Sequence, residues 1–191
     1  MRIILGSQSP RRQELLRGLD VDFEVRTIAG LEEHYPDTLQ GAEIPLFLAK
    51  QKADAFLPSL TDDDLLITAD TIVWLDGHVY GKPTDAADAR AMLRTLSGRT
   101  HEVITGVCLT TTRRQESFSA TTQVTFANFS DDEIEYYIEH YRPFDKAGSY
   151  GVQEWIGYIG VKSINGSFYN VMGLPVQRLY QKLKEFGVIR N

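Results

Sequence analysis

The residues between Ser7 and Arg12 form the strongest chemical pattern in this sequence. They follow a short apolar run and have the sequence Ser7-Gln8-Ser9-Pro10-Arg11-Arg12. Ser9 and Pro10 are typical of the N-cap and the first position of a helix. The free amides at a helix start attract anions, and hydroxyl and guanidinium donors beside them match phosphate oxygens. An ordinary helix cap with two solvated arginines is an equally good interpretation of this segment alone, and its spacing is not that of a Walker loop.

A second candidate is Asp70, which interrupts a nearly continuous apolar run from Leu65 to Leu75. Such a run is typical of a central strand that is covered on both faces. An ionised carboxylate in that position is costly unless it is paired, hydrogen-bonded or bound to a metal. Asp70 is therefore the best catalytic candidate from the residues alone, with a structural role for a buried aspartate as the alternative.

Other charged residues could complete a phosphate or metal site. They are Glu32 and Glu33 in an acidic loop, Lys50 and Lys52 on a predicted helix, and Lys82 in a Gly-Lys-Pro turn. Carboxylate oxygens are the ligands that Mg²⁺ takes, but a solvated acidic loop is the favoured interpretation without further evidence. The helix is apolar almost all round, so its periodicity does not choose between the two lysines, and a lysine on such a helix usually reaches out to solvent.

The elements that must hold these residues alternate between strands and helices. Helices are predicted at Pro10–Leu19, Glu43–Leu57, Asp85–Leu96, Asp131–Tyr141 and Pro175–Phe186. Extended segments are predicted at Arg2–Gly6, 21–29, Leu65–Leu75, Val79–Tyr80, Thr100–Thr112 and Glu116–Phe129, and Tyr150–Asn170 is predicted to be strand and loop. This order, with one long antiparallel insert, predicts an α/β fold with a mixed sheet.

Length and composition limit the classes of protein that fit. The chain has 191 residues, of which 42% are hydrophobic, and no repeat or linker divides it, so a single domain over 1–191 is expected. A formal net charge of −6 disfavours a broad nucleic-acid-binding face. No segment has the pattern of a signal peptide or a membrane span. The one cysteine, Cys108, forms no intrachain disulfide, so a reducing cytoplasm is expected.

A series of motifs in one order resembles a known family from end to end. Beyond Ser7–Arg12 and Glu32-Glu33, the motifs are Ala49-Lys50-Gln51-Lys52-Ala53, Ala69-Asp70-Thr71, Gly81-Lys82-Pro83, Leu96-Ser97-Gly98-Arg99-Thr100-His101, Lys146-Ala147-Gly148-Ser149-Tyr150-Gly151-Val152-Gln153, Ile164-Asn165-Gly166-Ser167 and Gly173-Leu174-Pro175. Together they resemble the Maf family of nucleoside triphosphate pyrophosphatases. Gly6 and Ser149 stand where alanine is usual in that family, and neither change removes a functional group.

The resemblance implies an elongated α/β fold, a mixed sheet flanked by helices with a central cleft, of the Maf or ITPase-like kind. It also implies a cytoplasmic homodimer that binds a nucleoside triphosphate. The acidic balance and the short apolar runs add the expectation that neither nucleic acid nor membrane is a partner. The implied reaction is hydrolysis between the α and β phosphates to a monophosphate and pyrophosphate, with Mg²⁺ or Mn²⁺ as cofactor. In the branch that this sequence resembles, the substrates are dTTP and UTP, with modified uridine triphosphates as further candidates for a house-cleaning activity.

The family's functional residues carry over onto matching positions. The resemblance implies that Asp70 is the proton acceptor and that Glu33 and Asp70 hold the metal, although whether Asp70 serves as base, metal ligand or both is left open. It implies phosphate binding by Ser7, Ser9, Arg11, Arg12, Lys52 and Lys82. It also implies that the preference for dTTP and UTP, rather than 7-methyl-GTP, is marked by Arg12, Thr71 and Gln153. The choice of Lys52 over Lys50, and of Glu33 over Glu32, comes from the resemblance.

A second function fits the same residues. A nucleotide-sensing regulator of cell division or septum formation, a role also attached to the family, would use the same pocket without catalysis. Release of pyrophosphate from dTTP distinguishes the two, because a sensor binds the nucleotide and releases none.

Overall fold

A computed structural model describes residues 1–189 of the chain, and within them seven strands form one sheet. The strands are β1 (Arg2–Leu5), β2 (Phe23–Val25), β3 (Asp64–Leu75), β4 (His78–Tyr80), β5 (Thr100–Thr110), β6 (Gln115–Phe126) and β7 (Val161–Asn165). Their order is β2-β1-β3-β5-β6-β7, and β4 pairs with β3. Strand β1 runs parallel to β2 and β3, whereas β4 and β7 are antiparallel to their partners. The predicted mixed sheet is confirmed.

The helices accompany this sheet in alternation with its strands. They are α1 (Pro10–Arg17), α2 (Glu43–Phe56), α3 (Ala86–Leu96), α4 (Asp131–Tyr141), α5 (Trp155–Gly160), α6 (Phe168–Met172) and α7 (Val176–Glu185). Helix α4 has the predicted bounds because Ser130 and Glu133 form a capping box at its start. None of the helices within residues 1–189 has the length and apolar composition that a membrane span requires.

The prediction of strand and loop for Tyr150–Asn170 is wrong in part, because helix α5 lies within that segment and helix α6 begins in it. Both helices are short, and their glycines and aromatic residues give no helical periodicity. Packing decides the structure instead. A Cβ at Gly157 would lie 1.8 Å from the carbonyl oxygen of Val152, so only glycine fits there.

The contacts of the chain group into two compact units. The first contains residues 1–70, 105–120 and the segment from Gly173 onward, and the second contains residues 71–104 and 121–172. Strands β3, β5 and β6 contribute residues to both units. A single functional domain over the whole chain remains a prediction.

In the first unit, helix α2 packs on strands β1 and β3. Its core includes Ile4, Ala49, Ala53, Phe56, Leu66 and Cys108, all of them buried. The Thr68 hydroxyl donates a 2.7 Å hydrogen bond to the carbonyl oxygen of Ala49 and so joins β3 to α2. A Cβ at Gly6 would lie 2.9 Å from Thr68 Cγ2, so an alanine at this position would crowd the core of this chain.

In the second unit, helices α3 and α4 cover a core that includes Val73, Leu93, Phe126 and Tyr137. The predicted hairpin between β3 and β4 is present. Asp76 and Gly77 both have positive φ, 51° and 77°, as a two-residue hairpin turn that matches the strand twist requires. This hairpin leads directly into the loop that carries Lys82.

Candidate functional site

The centre of the candidate site in the first unit is an ammonium group between two carboxylates. Lys52 Nζ donates a 2.8 Å hydrogen bond to Asp70 Oδ1 and lies 3.1 Å from Glu33 Oε1. The side chains of Lys52 and Asp70 are each 13% exposed, whereas that of Glu33 is 47% exposed. The lysine compensates the charge of Asp70, which is how an ionised carboxylate is accommodated at this point of an apolar strand.

The structure separates the two lysines that sequence periodicity could not. Lys50 points to solvent, where its Nζ lies 3.2 Å from Asp54 Oδ2 in an exposed pair on the same helix. Lys52 lies beside the buried face of α2, and the bond from Thr68 to Ala49 fixes that face against β3. Thr68 and Asp70 are two residues apart and lie on the same face of β3. The hydrogen bond from Thr68 to Ala49, which fixes α2 against this face, therefore also brings Lys52 close to Asp70.

The start of α1 has the predicted cap. Ser9 Oγ accepts a 3.4 Å hydrogen bond from the backbone N–H of Arg12, and Ser7 Oγ accepts one of 3.2 Å from the N–H of Ser9. Pro10 occupies the first position of the helix. Because each hydroxyl group accepts from the backbone, its own O–H proton remains a donor for an incoming anion.

Arg12 binds two backbone carbonyl groups of the first unit. Its Nε donates a 2.8 Å hydrogen bond to Gly173 O, and its Nη1 donates a 3.0 Å bond to Ala69 O. Lys52 Nζ also approaches Ala69 O, at 3.4 Å, so two cations meet at the carbonyl group that precedes Asp70. The pKa of the Arg12 guanidinium lies below its ordinary value, because burial lowers it most and the neighbouring Arg11 lowers it further. The negative charges of Asp70 and Glu33 act in the opposite direction. Arg12 therefore fixes the backbone at Asp70 as well as contributing positive charge.

The carboxylates of Glu33 and Asp70 fit a divalent cation. Among the described residues there is no group of three or more His, Cys, Asp or Glu side chains that could hold a metal ion. Mg²⁺, however, is usually bound through one or two carboxylates, and substrate phosphates and water complete its ligands. Two carboxylate oxygens that already approach a single ammonium are close enough to share one cation, so the donor set suits Mg²⁺ or Mn²⁺.

The remaining predicted site residues belong to the second unit. Lys82 is exposed between Gly81 and the buried Pro83, and Gly81 O accepts a 3.1 Å hydrogen bond from the N–H of Gly148. Gln153 Oε1 is buried and has no hydrogen-bond partner among the described residues. Thr71 is half-buried on β3. A single pocket that unites these three with the residues of the first unit remains a prediction.

Sequence reasoning missed one pair of residues in the second unit. Tyr137 and Glu154 form a hydrogen-bonded pair next to Gln153, and neither residue belongs to a recognisable local pattern. His101 is also buried in this unit, and its Nε2 lies 2.6 Å from the Tyr150 hydroxyl. Burial lowers the pKa of His101 to about 4, so its imidazole is neutral at neutral pH.

Comparison with known proteins identifies the family. The family model described as "Maf-like protein" matches residues 2–186. This chain belongs to the Maf family.

Close relatives of this Maf chain carry one name. A protein from Phocaeicola vulgatus named dTTP/UTP pyrophosphatase is 64% identical over 184 residues, which cover 96% of this chain and 95% of that protein. Proteins of the same name from Bacteroides thetaiotaomicron and Flavobacterium psychrophilum are 60% and 55% identical, and the matches cover 96% and 94% of this chain and 95% and 91% of those proteins.

A solved structure supports the fold of this Maf chain. The Ham1 protein of Staphylococcus aureus superimposes with a TM-score of 0.54, and the match covers 98% of this chain and 100% of that one. At 18% sequence identity this likeness concerns the fold alone.

Proposed function

We propose that this Maf protein is a pyrophosphatase that hydrolyses dTTP and UTP to the nucleoside monophosphate and pyrophosphate. Relatives that are 55–64% identical over nearly the whole chain carry that name. The observation in this chain that carries the proposal is the cluster of Asp70, Lys52 and Glu33, because it combines a base, a cation and a pair of metal-binding oxygens. The alternative of a nucleotide sensor in cell division is not favoured, since the name of the relatives is that of an enzyme.

Neutralisation of the triphosphate is the first task of the site. Attack at the α-phosphorus brings together a nucleophile and a polyanion, so fixed positive charge stabilises the transition state. The cations proposed to bind the phosphates are Arg11, Arg12, Lys52 and Lys82, with hydroxyl donors from Ser7 and Ser9. Arg12 is held in place by carbonyl groups before any ligand arrives, so its charge needs little reorganisation when the triphosphate binds.

Asp70 is proposed to accept the proton of the attacking water. Asp70 Oδ1 already accepts a hydrogen bond from Lys52 Nζ, so the proton of the water is taken at Asp70 Oδ2. The water oxygen then bonds to the α-phosphorus, the bond from that phosphorus to the bridging oxygen breaks, and pyrophosphate leaves. Glu33 and Asp70 would hold Mg²⁺ or Mn²⁺, which supplies Lewis-acid stabilisation of the phosphate charge when bound.

Gln153 is proposed to recognise the base. Its buried Oε1 has no hydrogen-bond partner within residues 1–189, and a carboxamide pairs an acceptor oxygen with a donor nitrogen. Uracil and thymine present an N3–H donor beside an O4 acceptor, which complements that pair, whereas cytosine presents the reverse. The 5-methyl group lies away from this edge, which accounts for acceptance of both dTTP and UTP. Arg12 and Thr71 are proposed to flank the nucleotide.

The family resemblance supports three further proposals. The two units act together as one domain over residues 1–191, the protein forms a homodimer, and it works in the cytoplasm. Modified uridine triphosphates present the same N3–H and O4 edge as UTP, so they belong to the proposed substrate class.

Incubation with single nucleotides tests the proposed function. Purified protein with Mg²⁺ or Mn²⁺ is given dTTP, UTP, CTP, GTP or 7-methyl-GTP, and pyrophosphate and monophosphate are quantified. We expect equal amounts of both products and the highest kcat/KM for dTTP and UTP. Tight binding of dTTP without pyrophosphate release would instead support the sensor, and a lead by 7-methyl-GTP would contradict the assignment of Gln153.

A further inference from the structure

The turn that carries Gln153 is held at both ends by one tyrosine hydroxyl. The N–H of Glu154 donates a 3.0 Å hydrogen bond to the carbonyl oxygen of Gly151, which closes a four-residue turn around Gln153. Tyr137, on helix α4, accepts a 3.0 Å hydrogen bond from the N–H of Gly151 and donates one of 2.7 Å to Glu154 Oε2. The same phenolic oxygen therefore contacts the first and the last residue of the turn.

Tyr137 is buried, Glu154 is partly buried, and the polar atoms that join them are hydrogen-bonded. Tyr137 has no exposed surface, and the side chain of Glu154 is 19% exposed. Glu154 Oε1 lies 2.9 Å from Lys146 Nζ, so both carboxylate oxygens have a partner. Burial, followed by the contact with Glu154, raises the pKa of the Tyr137 hydroxyl, which therefore stays protonated and remains a donor.

The backbone on either side leaves the turn little freedom. Gly148 and Ser149 have positive φ, 69° and 62°, and a Cβ at Gly148 would lie 2.8 Å from Val73 Cγ2. On the other side, the N–H of Gly157 donates a 2.9 Å hydrogen bond to the carbonyl oxygen of Glu154. The segment that presents Gln153 is fixed before and after the turn, and the hydroxyl of Tyr137 fixes the turn itself.

We propose that Tyr137 and Glu154 are positioning residues that set the base preference of this enzyme by fixing the Gln153 carboxamide. The inference rests on the proposed function, in which Gln153 recognises the edge of uracil or thymine. A carboxamide discriminates between bases only when its oxygen and nitrogen are held in one orientation, because a free one can rotate to match cytosine. Neither positioning residue is assigned to contact the substrate.

Removal of one oxygen atom tests this. Tyr137→Phe keeps the ring in the core and removes the hydroxyl, so the N–H of Gly151 and the carboxylate of Glu154 lose their shared partner. We expect the ratio of kcat/KM for UTP to that for CTP to fall about tenfold, which corresponds to about 1.4 kcal/mol. The loss lies in a higher KM for dTTP and UTP, while kcat for dTTP stays within about twofold.

Two further variants separate positioning from general stability. Tyr141→Phe makes the same chemical change on the same helix at a tyrosine that is 38% exposed, and it should leave the ratio unchanged. Glu154→Ala removes the acceptor at a partly exposed position and should lower the ratio, whereas Glu154→Gln keeps an oxygen for the Tyr137 hydroxyl and should restore most of it.

Contrary outcomes identify which proposal fails. An unchanged ratio in both Tyr137→Phe and Glu154→Ala overturns the inference, and so does an equal loss of kcat/KM for every nucleotide. If Tyr137→Phe does not fold, Glu154→Ala with its rescue by Glu154→Gln decides alone. A wild-type protein that releases no pyrophosphate overturns the proposed function itself.

Discussion

Lys52 Nζ lies 2.8 Å from Asp70 Oδ1, and this ion pair joins helix α2 to strand β3 within the first unit. Both side chains are largely buried, so solvent screens their attraction less than that of a surface pair. Removal of one partner leaves the other buried without its counter-charge, which costs more than the pair itself contributes. The pair therefore has a structural role beside its proposed chemical one, and single substitutions can separate the two roles.

Asp70→Asn removes the proposed proton acceptor, while one oxygen atom remains to accept a hydrogen bond from Lys52. We expect kcat for dTTP to fall by about 10²–10⁴-fold, the usual contribution of a general base. The affinity for dTTP should stay within a few-fold, because the cations proposed to bind the phosphates are unchanged. Pyrophosphate release and equilibrium binding measure the two effects. Substantial turnover by this variant would remove Asp70 from the chemistry.

Lys52→Met should lower kcat/KM for dTTP by about 10²-fold, because it removes a fixed cation from the developing phosphate charge. The matched control is Lys50→Met, two residues away on the same helix, where the ammonium is paired with Asp54 in solvent. That variant should keep the activity of the wild type. Equal losses in the two variants would contradict the assignment of Lys52 over Lys50.

Gly6→Ala should destabilise the protein, because the added Cβ would lie 2.9 Å from Thr68 Cγ2 in a packed core. Overpacking of this kind costs about 1–3 kcal/mol of unfolding free energy. In a Thr68→Ser background the obstructing methyl group is gone and the hydroxyl that binds Ala49 remains, so the cost of Gly6→Ala should shrink. Urea unfolding of the two single variants and the double variant measures this coupling, and additive effects would argue against the contact.

Stability should depend on the buried carboxylate of Asp64, which lies outside the candidate site. Burial raises its pKa, but hydrogen bonds from the Thr61 backbone, Arg2 and the Thr61 side chain together lower the pKa below its ordinary value. A lowered pKa in the folded state means that the carboxylate stabilises the protein above the unfolded pKa, about 4, and that this contribution is lost as the pH falls through the folded value.

Asp64→Asn should therefore cost about 1–3 kcal/mol of unfolding free energy at pH 7, since the 2.7 Å contact between Arg2 Nη2 and Asp64 Oδ1 loses its charge. The difference in unfolding free energy between the variant and the wild type should be smaller at pH 3 than at pH 7. Denaturant unfolding at the two pH values measures this difference. A larger difference at pH 3 than at pH 7 would contradict the stabilising role of the Asp64 carboxylate.

Local features of the chain were predictable because the residues that decide them are neighbours in sequence. Ser9 caps α1 through the N–H of Arg12, three residues away, and Asp131–Tyr141 begins at a capping box. The apolar run around Asp70 indicated a buried strand in the same way. In each case, all the residues that determine the feature lie within about one turn of a helix or within one strand.

The features that sequence could not settle depend on distant contacts. Lys52 lies inward and Lys50 outward because Thr68 fixes α2 against β3 across 19 positions of sequence. The shared hydroxyl of Tyr137 contacts Gly151, 14 positions away, and an ordinary core tyrosine has the same sequence pattern. Helix α5 depends on the space at Gly157, which no periodicity reveals.

Hydrolysis of dTTP in H₂¹⁸O shows which phosphorus the water attacks, which the proposed reaction places at the α-phosphorus. We expect the label to enter dTMP and pyrophosphate to contain none, since the bridging oxygen leaves with the pyrophosphate. Label in pyrophosphate, or release of labelled orthophosphate, would place the attack on another phosphorus and contradict the account.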